Sequence, residues 1–172
     1  EVTDFYNAYK YQLPQVKDEV VLSKIAIYPK LTDAHKQEII DKLKKIRQDI
    51  LNGESFENKA RIYSDDPGSA ANGGLYTNIG RGKMVKVFEA TALNLQEGDI
   101  SEPVESEFGF HIIQLVKKSG KLYDARHILL KAEPNAEEIA ATKAEMEKIR
   151  KDIIDGKITF KEAAYRHSDD KN

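Results

Sequence analysis

Apolar positions along this chain switch between two periods. Residues 2–13 place Phe5, Tyr6, Tyr9 and Leu13 at helical spacing, and Pro14 stops the run. Residues 20–28 are rich in β-branched side chains and close at Pro29, which predicts a strand. Thr32 or Asp33 can then cap a helix in which Ile39, Leu43, Ile46 and Ile50 form one stripe, with Gly53 as its stop. A short helix over 56–63 leads into the turn Ser64-Asp65-Asp66-Pro67-Gly68-Ser69 and a loop through Asn72-Gly73-Gly74. Residues 75–79 predict a short strand, and 84–95 a helix with Met84, Phe88 and Leu95 along one face, ended by Gly98. Strands at 103–106 and 110–117 join at Phe108-Gly109. In the second, the period of two puts His111, Ile113 and Leu115 on one face and Phe110, Ile112, Gln114 and Val116 on the other. Residues 117–121 read as a charged linker, 122–131 as another strand, and 135–155 as a capped helix with the start of one more behind it. Strand, helices, strand, helix, strand, strand is an α+β order with a small antiparallel or mixed sheet, too irregular for a doubly wound fold.

The pattern also returns. Lys45-Ile46-Arg47-Gln48-Asp49-Ile50-Leu51-Asn52-Gly53 comes back as Lys148-Ile149-Arg150-Lys151-Asp152-Ile153-Ile154-Asp155-Gly156, and Phe56, Ala60 and Ser64-Asp65-Asp66 as Phe160, Ala164 and Ser168-Asp169-Asp170. A repeat of roughly a hundred residues exceeds a solenoid unit and has the size of an independent domain. The expected organisation is a helical segment at 1–19 from a preceding N-terminal region, one complete module at 20–118, and at 119–172 a linker with the N-terminal half of a truncated second copy. On this reading the chain is a piece of a longer protein.

Composition narrows the chemistry. The hydrophobic share of 40% supports a core, and a net charge of −2 carries no basic excess that would point to nucleic acid. The absence of cysteine excludes disulfides, thiolate-bound zinc and thiol catalysis. No signal peptide or membrane span is present in the sequence. Gly73-Gly74 and Gly80-Arg81-Gly82 lack the lysine-serine ending of a phosphate-binding loop and read as turn glycines. The histidines, His35, His111, His127 and His167, have no metal-ligand spacing, and no nucleophile elbow occurs. By pattern alone Asp66 is a turn residue, Met84 and Phe88 are core, and His111 is either a hydrogen-bonded core histidine or a functional one.

The ordered blocks between Gly53 and Ile113 add more. Gly53-Glu54-Ser55-Phe56, Ala60-Arg61-Ile62-Tyr63-Ser64-Asp65-Asp66-Pro67-Gly68-Ser69-Ala70, Asn72-Gly73-Gly74, Gly80-Arg81-Gly82-Lys83-Met84-Val85, Gly98-Asp99-Ile100-Ser101-Glu102-Pro103-Val104 and Phe108-Gly109-Phe110-His111-Ile112-Ile113 resemble the parvulin-type peptidyl-prolyl isomerases. Ala125-Arg126-His127-Ile128-Leu129-Leu130 resembles the first strand of a second such domain, and the tandem arrangement is similar to the SurA-like periplasmic foldases. The resemblance implies a parvulin (FKBP-like) fold, a four-stranded antiparallel sheet surrounded by helices, with a prolyl-binding groove lined by Met84 and Phe88 and with Tyr76, Ile79 and Phe110 nearby. It implies a polar cluster of His111, Asp66 and Ser106, with His127 and Asp170 as counterparts in the second domain. It implies no cofactor and no metal. The implied partners are unfolded or nascent proline-containing polypeptides, outer-membrane proteins among them, in the periplasm, without membrane insertion.

One departure bears on activity. Aligning Lys24-Ile25-Ala26-Ile27 with His127-Ile128-Leu129-Leu130 puts Lys24 where the family has a first-strand histidine, so Lys24 is expected beside His111 and Asp66. The family's Gly-Gly-Asp-Leu-Gly run is also altered, to Gly73-Gly74-Leu75-Tyr76-Thr77. Two readings follow from the resemblance: an isomerase that turns X-Pro bonds, or a chaperone module that keeps the groove without turnover. The loop over 28–34 is short and not Arg-rich, which argues against a preference for phosphorylated substrates.

Overall fold

The strand expected over residues 20–28 does not form, and a segment from later in the chain supplies the central strand of the sheet. The computed structural model describes residues 1–12 and 20–170. Their elements run α1 (Val2–Tyr9), α2 (Asp33–Leu51), α3 (Phe56–Tyr63), a 3₁₀ turn (Ala70–Asn72), β1 (Leu75–Gly80), α4 (Lys86–Asn94), β2 (Val104–Ser106), β3 (Gly109–Ser119), β4 (Leu122–Leu130), α5 (Ala136–Ile154) and α6 (Phe160–His167). The helix stop expected at Leu13-Pro14 lies outside the described residues. Two units result, residues 28–148 and residues 1–27 with 149–172. No helix among the described residues is long and apolar enough to cross a membrane.

In the larger unit α2 forms where its stripe predicts. The Thr32 side chain accepts the His35 N–H as N-cap, and Leu43, Ile46 and Ile50 are buried. Gly53, at φ +106°, takes the left-handed conformation that ends the helix. Ser55 caps α3 in the same way through Asn58. The sheet is antiparallel throughout, in the order β1-β4-β3-β2, as expected for an α+β fold of this kind.

β4, anticipated as the opening strand of the second copy, pairs with β3 from Phe110↔Leu130 to Ser119↔Leu122 and with β1 on its other side. Residues 117–121 are therefore not a linker. Lys117 and Lys118 continue β3 opposite Asp124 and Tyr123, and Gly120, at φ +60°, makes the turn. Their charge fits an exposed hairpin end as well as it fits a linker. Loop closure favours this partner: β3 reaches β4 across Gly120-Lys121, whereas residues 20–28 lie about eighty residues before β3, a difference worth roughly 3 kcal/mol of chain entropy.

Strand alternation divides the core in two. Phe110, Ile112, Ile128 and Leu130 pack with Leu43, Ile46, Ile50, Phe56 and Ala60 of α2 and α3. Ile113, Leu115, Tyr123 and Ala125 pack with Ile79 and with Phe88 and Ala92 of α4. Tyr123 is only 2% exposed, and its hydroxyl finds no hydrogen-bond partner among the described residues. Burial, and then the charge of Glu89, pushes its pKa up to about 12. Tyr123→Phe is expected to be neutral or to stabilise the fold by about 1 kcal/mol, read from the urea midpoint, because a buried hydroxyl without a partner costs stability.

In the other unit α1 exposes Phe5, Tyr6 and Tyr9, with the Phe5 ring 4.7 Å from that of Tyr9. Residues 23–27 are held by the end of α6 and the turn after it. The Ala26 N–H donates to Ser168 Oγ (3.3 Å), the Asp169 N–H donates to the Ala26 carbonyl (2.8 Å), and the Lys24 ammonium pairs with Asp170 (2.5 Å).

Candidate active site

The turn after α3 carries Asp66, and its neighbours tie it to β4. The Asp65 N–H donates to the Leu129 carbonyl at 2.8 Å, and Ser64 Oγ accepts the Leu129 N–H at 3.2 Å. This backbone clamp brings Asp66 against His127, two residues earlier on β4. His111 sits opposite Leu129 on β3, so its ring and that of His127 share the α4 face of the sheet. Ser106 closes the far side from the end of β2, paired with Gly109 at the start of β3.

The four side chains form one continuous chain of hydrogen bonds. Asp66 Oδ2 lies 2.8 Å from His127 Nε2, His127 Nδ1 lies 3.2 Å from His111 Nδ1, and His111 Nε2 lies 2.6 Å from Ser106 Oγ. One set of tautomers satisfies every link: Ser106 O–H donates to His111 Nε2, His111 Nδ1–H to His127 Nδ1, and His127 Nε2–H to the carboxylate. Ser69 Oγ also donates to Asp66 Oδ2 and lies 3.0 Å from His127 Nε2, and Tyr76 O–H donates to the same carboxylate oxygen at 3.0 Å. The Gly68 N–H donates to Oδ1 at 3.1 Å.

Electrostatics agree with that assignment. Burial alone would raise the Asp66 carboxyl, but hydrogen bonds from Ser69, His127 and the Gly68 N–H outweigh it and hold its pKa at about 2. Burial, and secondarily His127, lowers His111 to about 4 against the weaker pull of Asp66. His127 is also lowered by burial, opposed by Asp66. At neutral pH the cluster is one carboxylate and two neutral imidazoles.

A pH dependence follows. Between about 6.5 and 4 the unfolded chain binds a proton at position 111 that the folded one does not, so stability from this residue is complete above about 6.5 and is lost as pH falls toward 4. Asp66 has the same sign at lower pH: its contribution is complete above about 3.8 and fades as pH falls toward 2. The melting temperature is expected to be flat from pH 7 to 8 and to drop below 6, and His111→Gln should shrink the drop between 6 and 4.

The cluster borders a cavity of about 550 Å³, within the usual range of a ligand pocket. Met84, Val85, Phe88, Phe108 and Leu129 form its apolar wall, and Tyr76, Lys83, Lys131, Asp66, His111 and His127 add polar groups. The Phe88 ring stands edge-on to His127 at 5.4 Å and to His111 at 6.2 Å. No cluster of three or more His, Cys, Asp or Glu suited to a metal ion occurs among the described residues.

The structure gathers most, not all, of the residues singled out from sequence. Asp66, His111 and Ser106 meet, and Met84, Phe88 and Tyr76 line the cavity beside them. Phe110 does not join them: adjacent strand residues face opposite ways, and it packs with α2 and α3. Ile79 is buried beneath the site, packed with Phe88 and Ile113. Lys24, expected beside His111 and Asp66, pairs with Asp170 in the other unit, and His127 holds the expected place. His127 and Asp170, expected as partners in a second site, are thus each engaged by a different residue. Ser69 was missed, although its position three residues after Asp66 in a tight turn was a usable signal. Phe108, Leu129 and Lys131 were missed because only the fold brings them together.

The model of the PPIC-type PPIase domain (rotamase) matches residues 25–117 and 127–172 of this chain. Among curated proteins, the chain is 39% identical over 121 residues to Foldase protein PrsA of Geobacillus sp. (strain WCH70), covering 70% of this chain and 38% of that protein. It is 50% identical over 70 residues to Chaperone SurA of Chromohalobacter salexigens, covering 41% of this chain and 16% of that protein. A crystal structure of peptidylprolyl isomerase PrsA from Bacillus cereus aligns at 44% identity, with a TM-score of 0.45, over 48% of this chain and 32% of that one. The chain spans well under half the length of the curated relatives it matches.

Proposed function

Because this chain belongs to the PPIC-type peptidyl-prolyl isomerase family, we propose that its cavity rotates X-Pro bonds in unfolded polypeptides. The observation that carries this is the closed chain Asp66–His127–His111–Ser106 set against the apolar wall of Met84, Phe88 and Leu129. Rotation must overcome an amide barrier of about 18–20 kcal/mol without making or breaking a bond at the substrate. The apolar wall grips the pyrrolidine ring and strips water from the amide, which favours the less charge-separated twisted form over the planar one. All four imidazole nitrogens are occupied within the chain of hydrogen bonds. The histidines therefore hold the shape of the floor and do not donate to the substrate, and Asp66 supplies the carboxylate that ends their chain. Lys83 and Lys131, exposed at the rim, supply donors for the substrate carbonyl. No nucleophile is assigned.

The chaperone reading without turnover drew on Lys24, and with His127 beside Asp66 that support falls away. Relatives named foldase and chaperone suit unfolded, proline-containing clients, outer-membrane proteins among them, and a periplasmic setting, with which a chain lacking cysteine is compatible. We read the two stretches matched by the family model as one whole module and the opening half of another.

The test is NMR exchange on an unphosphorylated Ala-Pro peptide, whose uncatalysed rotation takes tens to hundreds of seconds. Exchange far above that background, abolished in an Asp66→Ala, His111→Ala double variant and no faster on a phosphoserine-Pro peptide, is the expected result. Saturable binding without exchange would make the cavity a chaperone groove.

A further inference from the structure

Two segments of this chain present the same hydrogen-bonding edge to two copies of the same turn. In the larger unit, the Asp65 N–H donates to the Leu129 carbonyl (2.8 Å), Ser64 Oγ accepts the Leu129 N–H (3.2 Å), and Asp66 meets the His127 ring (2.8 Å). In the other unit, the Asp169 N–H donates to the Ala26 carbonyl (2.8 Å), Ser168 Oγ accepts the Ala26 N–H (3.3 Å), and Asp170 meets the Lys24 ammonium (2.5 Å). The repeat aligns these residues one for one: Ser64-Asp65-Asp66 with Ser168-Asp169-Asp170, and His127-Ile128-Leu129-Leu130 with Lys24-Ile25-Ala26-Ile27. Each turn thus holds the strand segment that lies next to the other turn's copy in sequence. The clamp reads backbone groups together with one polar side chain two residues earlier, so it does not distinguish the two segments.

We propose that residues 23–27 and 126–130 are alternative occupants of the central strand position, so that the group facing Asp66 and His111 is His127 in one arrangement and Lys24 in the other. Side-chain volumes permit the exchange. Ile25 and Ile27 replace Ile128 and Leu130 against α2 and α3 as near-isosteric apolar residues. On the cavity face Ala26 replaces Leu129, which widens the pocket. The chemical change is larger. A lysine opposite Asp66 puts an ion pair where the neutral His127 imidazole stood, and His111 loses its Nδ1 partner. Exchange of like elements between copies is a low-cost rearrangement in repeated or oligomeric chains, and here both copies lie in one chain. The consequence for turnover rests on the isomerase reading; the exchange itself does not.

Cysteine trapping separates the two, because the chain has no cysteine of its own. Gln114 and Arg126 are direct partners across β3 and β4, within reach of a disulfide. Ser23 is the residue that aligns with Arg126. A Gln114→Cys, Arg126→Cys variant reports the arrangement described above, and a Gln114→Cys, Ser23→Cys variant reports the exchanged one. Both are oxidised at high dilution, checked for monomer mass, and compared with the parent by circular dichroism. The expected result is an intrachain disulfide in both, the Ser23 pair closing more slowly, with peptide turnover lower in the Ser23-linked form. A Ser23 pair that stays reduced in a folded monomer, while the Arg126 pair closes, would overturn the proposal, as would failure of both to close. If both pairs close and neither form turns over peptide, the exchange stands and the isomerase reading fails.

Discussion

Asp66→Ala is expected to lower kcat/KM on an Ala-Pro peptide by roughly a hundredfold, the scale of losing one preorganised electrostatic partner. This carboxylate terminates the whole polar chain. Its Oδ2 receives Ser69, His127 and Tyr76, and its Oδ1 receives the Gly68 N–H. Without it His127 Nε2–H loses its carboxylate and keeps only the Ser69 hydroxyl, 3.0 Å away, as an acceptor, so the tautomer that keeps the chain in line loses its charged anchor. The fold should survive at a cost of about 1–3 kcal/mol for the orphaned donors. Asp66→Asn keeps one acceptor oxygen in the same shape and should fall between the two. Exchange spectroscopy on the three proteins, each with a thermal melt, separates lost catalysis from lost folding. Wild-type turnover in a folded Asp66→Ala protein would remove the polar chain from the machinery.

The largest stability effect should come from a residue with no side chain. Gly74 sits at φ +77°, and a Cβ built there would stand 2.3 Å from the His127 carbonyl oxygen and 3.2 Å from Ala60 Cβ. Its own carbonyl accepts the His127 N–H at 2.9 Å. Left-handed backbone costs an alanine about 1–2 kcal/mol, and forcing β4 outward adds about 1–3 kcal/mol of overpacking. Gly74→Ala should therefore destabilise by roughly 3 kcal/mol and reduce turnover as well, because the displaced atom belongs to His127. Gly98→Ala is the matched control: φ is +94°, but the space around it is open, so only the backbone cost remains. Equal urea midpoints for the two variants would show that the close approach at Gly74 has no energetic weight.

Much of this was legible along the chain. The stripe Ile39, Leu43, Ile46, Ile50 and the Thr32 cap mark α2, because helix periodicity and capping are settled within a few residues. The alternation in β3 put His111 with Ile113 and Leu115, as found. The same alternation already set Phe110 on the opposite face, and only the family resemblance drew it into the groove. The cavity wall was partly hidden, since Phe108, Leu129 and Lys131 converge from the ends of β3 and β4.

The amino-acid sequence alone determined the element periods, the caps and the repeat, because each of these is written in residue type and short spacing; that Asp66, His111 and Ser106 should act together came only from the family resemblance. The sequence could not rank the two segments that carry the strand pattern. Residues 20–28 and 122–131 look alike locally, and pairing in a sheet depends on a partner that sequence distance does not name. Tertiary structure decided that question through the short turn at Gly120-Lys121, which makes β4 the inexpensive neighbour of β3. With that choice it set a histidine, not a lysine, between His111 and Asp66.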